Sequence, residues 1–387
     1  MIEQAITATK IIETTHLSAQ ALDKLIFYCG GVDAHPCIIH DNNPLPVRDE
    51  MIGKLSEMRK IEVLDQVFPD PKVLDIMDMV FSLSGKAVNV IIGIGGGSSL
   101  DSAKGVAATL SNGGDLEEYL GAEATKKIEK RDVKLILIPT TAGTGAEVTK
   151  VGVYTSLSGR KYTLSHPLLQ ADIALLVTEY TYSLPATLTA ATAFDALSHA
   201  LETLWNRNAT PLSDRAAMES AIHILRWMET AYDSSLSGKK EGRAEMLEGA
   251  CMAGTAFNMT GTAAIHALSF ILSEEWHVPH GVACAFTIED VLELNINDFQ
   301  TRGKMALIAK ALFGNEKEDE LIKRLIGRIT GLKKKFNLPF RFSDLKIEMS
   351  EDKISAFFNK SLDDPKMKNN IISMDQQKVY NIIKSKI

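Results

Sequence analysis

The sequence has few cysteines, no strong charge of either sign and no long hydrophobic run. The four cysteines form no CxxC pair, which argues against a cysteine-rich zinc or redox motif. No apolar stretch is long enough to span a bilayer, and we expect no signal peptide. A net charge of -7 gives no reason to expect nucleic acid or an anionic membrane as partner. We therefore expect a cytoplasmic protein.

The pattern of apolar residues divides the chain into two parts. A length of 387 residues exceeds the usual size of one hydrophobic core, so two domains are expected. Before residue 185, short runs rich in Val and Ile alternate with helical patterns, which is typical of buried parallel strands. These runs occupy residues 36–41, 87–95, 133–139 and 172–177. We predict an α/β domain with a mainly parallel, Rossmann-like sheet over residues 1–184, and an all-α domain over residues 185–387.

The helical half carries a candidate metal site. Asp195 and His199 are four residues apart in a helical stretch, so both side chains share one face. His266 and His280 follow further along the chain. Three imidazoles and a carboxylate suit Fe(II) or Zn(II) better than Ca(II) or Mg(II). In isolation, His199 has the alternative reading of an ordinary core histidine.

A glycine-rich turn in the first half is a candidate phosphate site. Residues 93–105 follow a predicted strand and open a helix, and Gly95, Gly96 and Gly97 allow a ligand to approach the backbone. The helix N-terminus, with Ser98, suits a pyrophosphate. The turn is not a P-loop, and Ser98 stands where the last glycine of GxGxxG belongs. A tight structural connection is the alternative.

A second polar turn and a strand-end acid favour a nucleotide site. Residues 139–149 follow another predicted strand and contain Thr140, Thr141 and Thr144. Two such turns at the carboxyl ends of parallel strands favour a nucleotide crevice, although turn-forming residues also make ordinary loops. Asp41 ends an early strand, where a carboxylate could bond a ribose hydroxyl and favour NAD over NADP. An ordinary strand-end role is the alternative for Asp41.

Taken together, these motifs resemble the iron-containing (group III) alcohol dehydrogenase family. The motifs occur in the family's order: GGGSSLDSAK (95–104), PTTAGTGAEVT (139–149), FDALSHALE (194–202), His266 and PHG (279–281). The resemblance implies a dinucleotide-binding domain, a helical domain and a cleft between them that holds metal and nicotinamide. It implies hydride transfer between nicotinamide and a small aldehyde or primary alcohol, with the metal as Lewis acid.

The resemblance also assigns roles to residues and suggests the assembly. By motif position, the metal ligands are Asp195, His199, His266 and His280. The implied cofactor contacts are Asp41, Gly95, Gly96, Gly97, Ser98, Asp101, Thr140, Thr141, Thr144 and Lys161. We expect NAD as cofactor, with NADP as the alternative, together with Fe(II) or Zn(II). Family members are often dimers or larger, so a homodimer or larger homo-oligomer is expected.

The chain departs from the common family pattern in the proton relay. Many members carry a second histidine four residues after the third ligand, where this chain has Phe270. His277 is then a candidate proton shuttle, and a polar loop residue is the alternative. Glu202 lies seven residues after Asp195 on the same helix face. It is a candidate for orienting a metal-bound histidine, and an acid exposed to solvent is the alternative.

A closer resemblance suggests a substrate. Residues 265–295 and 159–175 are similar to the phosphonoacetaldehyde reductases (hydroxyethylphosphonate dehydrogenases) of the family. A phosphonate needs cationic partners, and Arg160, Lys161 and Lys150 are the candidates. Phe270 is a further candidate substrate contact. The alternative is a hairpin with exposed basic residues, in which Lys161 serves the cofactor.

Other functions of the same superfamily are the alternatives. A dehydroquinate-synthase-like or glycerol-dehydrogenase-like enzyme would use the same NAD and metal motifs, although the dense basic array of the former is missing. A non-catalytic protein that binds NAD and metal is the alternative from another class, against which the intact ligand and glycine motifs argue.

Overall fold

The computed structural model describes residues 9–387, so the first eight residues of the predicted domain 1–184 lie outside the described part. The described residues divide into two compact units. The first runs up to Thr141 and resumes over Gly145–Ser183, and the second contains Ala142–Thr144 and Leu184–Ile387. The sequence predicts a boundary between residues 184 and 185, and no sequence pattern predicts that Ala142–Thr144 belongs to the second unit.

The first unit contains a parallel sheet. Its strands lie in the order β1-β8-β5-β4-β2-β3, and every neighbouring pair is parallel. The strands are β1 (Lys10–Thr14), β2 (Pro36–Asp41), β3 (Glu62–Val67), β4 (Val90–Gly95), β5 (Lys134–Pro139), β6 (Val151–Thr155), β7 (Lys161–Ser165) and β8 (Ile173–Val177). The helices of this unit are α1 (Ala19–Gly30), α2 (Pro46–Met58), α3 (Val73–Ser82) and α4 (Gly97–Asn112).

The central strands are apolar throughout because both faces of the sheet are covered. Alternate residues of β4 enter two hydrophobic clusters: Ile91 packs in the cluster that contains residues of α3 and α4. Ile92 and Ile94 pack in the cluster that contains residues of α1 and α2. Continuous apolar runs of this kind are typical of parallel strands. The predicted fold class, a parallel α/β sheet followed by a helical region, is confirmed.

The apolar pattern does not reveal the two edge strands, whose side chains are partly exposed. Strands β1 and β3 are the edges of the sheet, and their sequences KIIET and EVLDQV contain charged residues. Strands β6 and β7 form a separate antiparallel hairpin. Polar residues are expected on edge strands and on half-exposed hairpins, and they weaken the apolar signal that reveals a strand.

The second unit is helical. Its helices are α5 (Ala186–Leu204), α6 (Pro211–Ser237), α7 (Arg243–Thr260), α8 (Ala264–Trp276), α9 (His280–Asn295), α10 (Phe299–Phe313), α11 (Glu318–Lys335), α12 (Glu351–Asp363) and α13 (Gln376–Lys384). Helix α5 packs against α6, α7 and α9, and its residues from Ala193 to Leu204 are all buried. Polar side chains on α5 therefore face protein rather than water. Within the described residues, none of the helices combines the length and apolarity needed to cross a bilayer.

Candidate active site

The glycine-rich turn joins β4 to α4 in the first unit. Gly95 has φ +155°, and a Cβ placed on it would lie 2.2 Å from Ser99 Oγ. Only glycine fits such a position without displacing the serine. Helix α4 begins at Gly97 with Gly96 as its N-cap, and no side chain caps it. The first N–H groups of a helix lack intrahelical acceptors, so this end of α4 suits an anion.

Asp41 lies beside this turn. The hydroxyl of Ser99 donates to Asp41 Oδ2 over 3.4 Å. The backbone N–H of Asn43 donates to Asp41 Oδ1 over 2.9 Å, and Arg48 Nη1 lies 3.7 Å from the same oxygen. The strand-end carboxylate and the glycine-rich turn, both predicted cofactor contacts, are thus neighbours. The buried guanidinium of Arg48 offsets part of the carboxylate's charge.

The threonine-rich turn is shared between the two units. The backbone N–H of Thr140 donates to the carbonyl oxygen of Gly95 over 2.9 Å, and Thr141 lies against Gly96. These two threonines therefore border the glycine-rich turn. Thr144 belongs to the short stretch that clusters with the helical unit.

Two predicted cofactor contacts have partners within the first unit. Asp101 Oδ2 accepts a hydrogen bond from the N–H of Val153 over 3.0 Å, and Lys104 Nζ lies 3.6 Å from Asp101 Oδ1. Burial raises the pKa of this carboxyl. Lys161 Nζ pairs with Asp70 over 2.7 Å. Asp101 thus attaches the β6–β7 hairpin to α4, and a cofactor role for Asp101 or Lys161 stays a prediction.

The predicted metal ligands converge in the second unit. Asp195 and His199 lie on the buried side of α5, with 2% and 5% of their surfaces exposed. Asp195 Oδ1 lies 3.5 Å from His280 Nε2, 3.6 Å from His266 Nε2 and 3.8 Å from His199 Nδ1. The His199 ring stacks on the His266 ring with 4.3 Å between centroids. Side chains from α5, α8 and α9 therefore meet around one carboxylate oxygen.

The PHG motif positions the last of these residues. Pro279 is the N-cap of α9 and His280 is its first residue. A Cβ on Gly281 would lie 2.2 Å from the carbonyl oxygen of Ala191, so glycine lets the first turn of α9 pack against the backbone of α5. This close approach brings His280 to Asp195.

Glu202 fixes the orientation of His266. Glu202 is fully buried, and its Oε2 lies 2.5 Å from His266 Nδ1. Its Oε1 accepts the backbone N–H groups of Ile265 and His266. With Nδ1 engaged by the carboxylate, Nε2 of His266 faces Asp195. Glu202 is therefore not an exposed acid, and its position matches the carboxylate–histidine arrangement common at metal sites.

The donor set fits a divalent transition metal. Across the described residues, His199 Nδ1 and His266 Nε2 are buried and have no hydrogen-bond partner. The other side of the His199 ring bonds the backbone of Gly143. Buried polar atoms normally have partners, so two orphaned nitrogens beside a carboxylate suit a site that could hold a cation.

The pKa values follow from burial and mutual contact. Burial opposes ionisation of Asp195, but the neighbouring imidazoles of His199, His280 and His266 outweigh it and lower the pKa of the carboxyl. Burial lowers the pKa of His199 to about 3. A charged carboxylate beside a neutral imidazole is the state in which both can bind a metal.

Cys284 also lies at this site, although no sequence motif predicts a cysteine there. Asp195, His266, His280 and Cys284 each offer one donor atom, and these atoms all lie within 4.8 Å of one another. His199 lies outside this group of four, although it contacts Asp195 and His266. Cys284 follows His280 by four residues, the same spacing that linked Asp195 to His199. That spacing was the available signal.

The His280 ring lies beside an aromatic ring that in turn contacts a lysine. The Phe270 ring meets the His280 ring edge to face, with 5.8 Å between centroids. Lys366 Nζ lies 3.8 Å from the centroid of the Phe270 ring and pairs with Asp364 over 3.1 Å. His277 ends α8 in the left-handed conformation and is exposed. No sequence motif pointed to Lys366, which lies far along the chain from the other site residues.

The basic residues predicted to contact substrate belong to the first unit. Lys150 immediately precedes β6, and its carbonyl oxygen accepts the backbone N–H of His166 over 2.9 Å. Arg160 immediately precedes β7, and its guanidinium lies 5.5 Å from the centroid of the Tyr162 ring. Phe270, the third predicted substrate contact, belongs to the second unit and lies against the histidine cluster there.

Comparison with known proteins identifies the family. The model of the family described as iron-containing alcohol dehydrogenase matches residues 13–178. The model of the C-terminal part of the Fe-containing alcohol dehydrogenase family matches residues 189–387. Together the two matches cover nearly the whole chain.

Individual relatives agree with the family models. The chain is 35% identical over 308 residues to long-chain-alcohol dehydrogenase 1 of Geobacillus thermodenitrificans, covering 78% of this chain and 76% of the relative. It is 32% identical over 251 residues to a sulfoacetaldehyde reductase of Bilophila wadsworthia, a match that covers 64% of this chain and 62% of the relative. The fold matches the crystal structure of sulfoacetaldehyde reductase from Bifidobacterium kashiwanohense in complex with NAD⁺, with a TM-score of 0.88. The two sequences are 23% identical, and the match covers 100% of this chain and 99% of the other. As predicted, the chain is an oxidoreductase that belongs to the iron-containing alcohol dehydrogenase family.

Proposed function

We propose that the protein is a metal-dependent, NAD-linked aldehyde reductase and alcohol dehydrogenase. The observation that carries the proposal is the convergence of Asp195, His199, His266 and His280 in a buried site with orphaned imidazole nitrogens. A divalent metal held by these residues would supply Lewis acidity toward a carbonyl oxygen, and NAD(H) would carry the hydride. Fe(II) and Zn(II) both suit the donors.

The chain's own residues would orient the reactants and the metal ligands. The N-terminus of α4 would hold the pyrophosphate, and Asp41 would bond a ribose hydroxyl, which favours NAD over NADP. Glu202 holds the His266 ring in one orientation, so that Nε2 stays directed at the metal position. Phe270 has no ionisable group, so we propose that the exposed His277 or water exchanges protons with the substrate.

We further propose that the aldehyde carries an acidic group, and that phosphonoacetaldehyde, reduced to 2-hydroxyethylphosphonate, is the substrate. Lys366 supports this, because its ammonium group lies over the Phe270 ring, which itself contacts His280. An ammonium group has three donors, so pairing with Asp364 leaves capacity for a phosphonate. The relationship to sulfoacetaldehyde reductases supports an acidic aldehyde of similar size.

The earlier candidates for binding the phosphonate remain secondary proposals. Arg160 is exposed and lies over the Tyr162 ring, while Lys161 is paired with Asp70. Lys150 is half-buried beside the hairpin. A cytoplasmic location and a homodimer or larger assembly also remain proposals.

A substrate panel tests the reaction. The protein is loaded with Fe(II) or Zn(II), and NADH oxidation is followed with phosphonoacetaldehyde, sulfoacetaldehyde and propanal. We expect the highest kcat/KM with phosphonoacetaldehyde. A preference for sulfoacetaldehyde would show that the acidic group of the substrate is a sulfonate rather than a phosphonate. A preference for propanal would contradict an acidic substrate. Equal turnover after complete metal removal would contradict the metal-dependent function itself.

Lys366→Met tests the proposed recognition of the acidic group. A hydrogen bond to a charged group contributes about 1.5–3 kcal/mol, so we expect KM for phosphonoacetaldehyde to rise roughly 10- to 100-fold. The KM for propanal should change little. Lys360→Met is the matched control, because Lys360 pairs with Glu275 and is half exposed. Equal losses with both substrates would show that Lys366 acts only through structure.

A further inference from the structure

Cys284 lies among the metal-binding side chains. It is fully buried on α9, one turn after His280. Its Sγ atom lies 3.8 Å from His280 Nε2 and 3.8 Å from Asp195 Oδ1. We propose that Cys284 is itself a metal ligand: its thiolate sulfur completes a set of four donors with Asp195, His266 and His280 in place of His199, whose ring stacks beside that set. The inference rests on the metal site of the proposed function and is independent of the substrate.

The distances between donor atoms agree with this ligand set. At the bond lengths typical of tetrahedral zinc, two N or O donors lie about 3.3 Å apart, and a sulfur lies about 3.6 Å from an N or O donor. The two Asp195–histidine distances are 3.5 and 3.6 Å, and the two distances to sulfur are each 3.8 Å. All four are slightly longer than these values. The sulfur distances are the longer ones, as a longer metal–sulfur bond requires.

A structural role for Cys284 explains less of what surrounds it. A buried cysteine often packs as a small apolar side chain. This one instead contacts a carboxylate oxygen and an imidazole nitrogen. The orphaned Nε2 of His266 is directed at the same carboxylate, and Glu202 fixes that direction. Four donors from three helices thus enclose one point, and a weak S–H hydrogen bond would leave the His266 nitrogen unsatisfied.

A thiolate ligand has a consequence for the choice of metal. Soft thiolates favour Zn(II) over harder ions, whereas carboxylate and imidazole accept Fe(II) as well. We therefore expect the wild-type protein to prefer Zn(II) over Fe(II) more strongly than Cys284→Ser does. Changes around metal ligands typically alter affinity 10- to 100-fold, so the ratio of the two affinities should fall at least about tenfold in the variant.

X-ray absorption at the zinc edge tests the ligand directly. For the zinc-loaded full chain we expect a sulfur neighbour at about 2.3 Å beside nitrogen and oxygen neighbours at about 2.0–2.1 Å. Cys284→Ser should lose the sulfur neighbour, and the control Cys251→Ser, another buried cysteine of the helical unit, should keep it.

The wild-type spectrum decides the question even if a variant fails to fold. Bound zinc with only nitrogen and oxygen neighbours would overturn the thiolate ligand and leave the proposed function intact. A protein that binds neither zinc nor iron would overturn the proposed function instead. Loading with Co(II) gives a second readout, because a thiolate ligand adds an intense near-ultraviolet charge-transfer band that Cys284→Ser should lack.

Discussion

The two candidate sites are built from different parts of the polypeptide. At the turn after β4, the proposed phosphate contacts are backbone N–H groups, and Gly95 is required for space rather than for chemistry. At the metal site the contacts are side chains buried among helices, and each lies near another donor. The first site depends on the conformation of the backbone. The second depends on buried side chains that would take the place of water around a metal ion. Substitutions should therefore affect the two sites by different mechanisms and by different amounts.

The largest effect is expected from His266→Ala. Removing this imidazole leaves Oε2 of the buried Glu202 without its partner and takes a ligand from the metal. Lewis-acid stabilisation is worth several kcal/mol, so kcat/KM should fall at least about a thousandfold, together with metal content. His223→Ala is the control, because His223 lies on α6 and pairs with Glu248. A variant that loses the metal but keeps its turnover would refute the role of the site.

A smaller effect is expected from Glu202→Gln. The amide keeps the size of the side chain but removes the charge that holds His266 Nδ1. Loss of such a partner typically weakens metal binding 10- to 100-fold. Titration with Zn(II) against a competing chelator measures this affinity. If activity returns to the wild-type level at saturating metal, Glu202 acts by positioning the ligand, and an unchanged affinity would exclude that role.

At the other site, Gly95→Ala should impair cofactor binding. The added methyl group would collide with Ser99 Oγ, and alanine rarely adopts φ +155°. Backbone strain of this kind costs about 1–3 kcal/mol, so Kd for NADH should rise roughly tenfold or more while metal content is unchanged. Gly53→Ala is the matched control, because a Cβ there meets no atom within 4 Å. Equal NADH binding by both variants would show that the glycine-rich turn is only a structural connection.

The smallest effect is expected from Arg160→Ala. Arg160 is exposed and lies over the Tyr162 ring on the hairpin. An ion pair made by an exposed side chain such as this is worth only about 0.2–1 kcal/mol. KM for phosphonoacetaldehyde should therefore change less than about fivefold, well below the change expected for Lys366→Met. A larger increase for Arg160→Ala would make the hairpin the phosphonate site and remove that role from Lys366.

The same contrast explains which features could be read from the sequence. Central strands such as β4 are apolar throughout, so their pattern predicted the sheet, whereas the polar edge strands β1 and β3 gave no such signal. The glycine-rich turn was recognisable because its glycines are adjacent in the chain. Asp195 and His199 were recognisable because a helix places residues four apart on one face.

Features that depend on contacts between distant segments were harder to predict. Cys284 lies four residues after His280, a spacing that places both on one face of a helix, but it belongs to no CxxC motif. Lys366 reaches the Phe270 ring only because Pro365–Asn369 packs near α8. Asp101 Oδ2 accepts the N–H of Val153 on the hairpin, a contact that the sequence does not predict, and its role toward the cofactor stays a prediction. In each case the partner lies far away in sequence, and no local pattern specifies it.

Metal content and turnover measured in the same preparation test the central claim most directly. The wild-type protein, Asp195→Asn and a chelator-treated sample would each be assayed for bound metal and for NADH-dependent aldehyde reduction. We predict about one metal ion per chain in the wild type, loss of metal and activity together in the other two samples, and recovery of both when Zn(II) or Fe(II) is returned to the chelated protein. Full turnover in a metal-free sample would contradict the account.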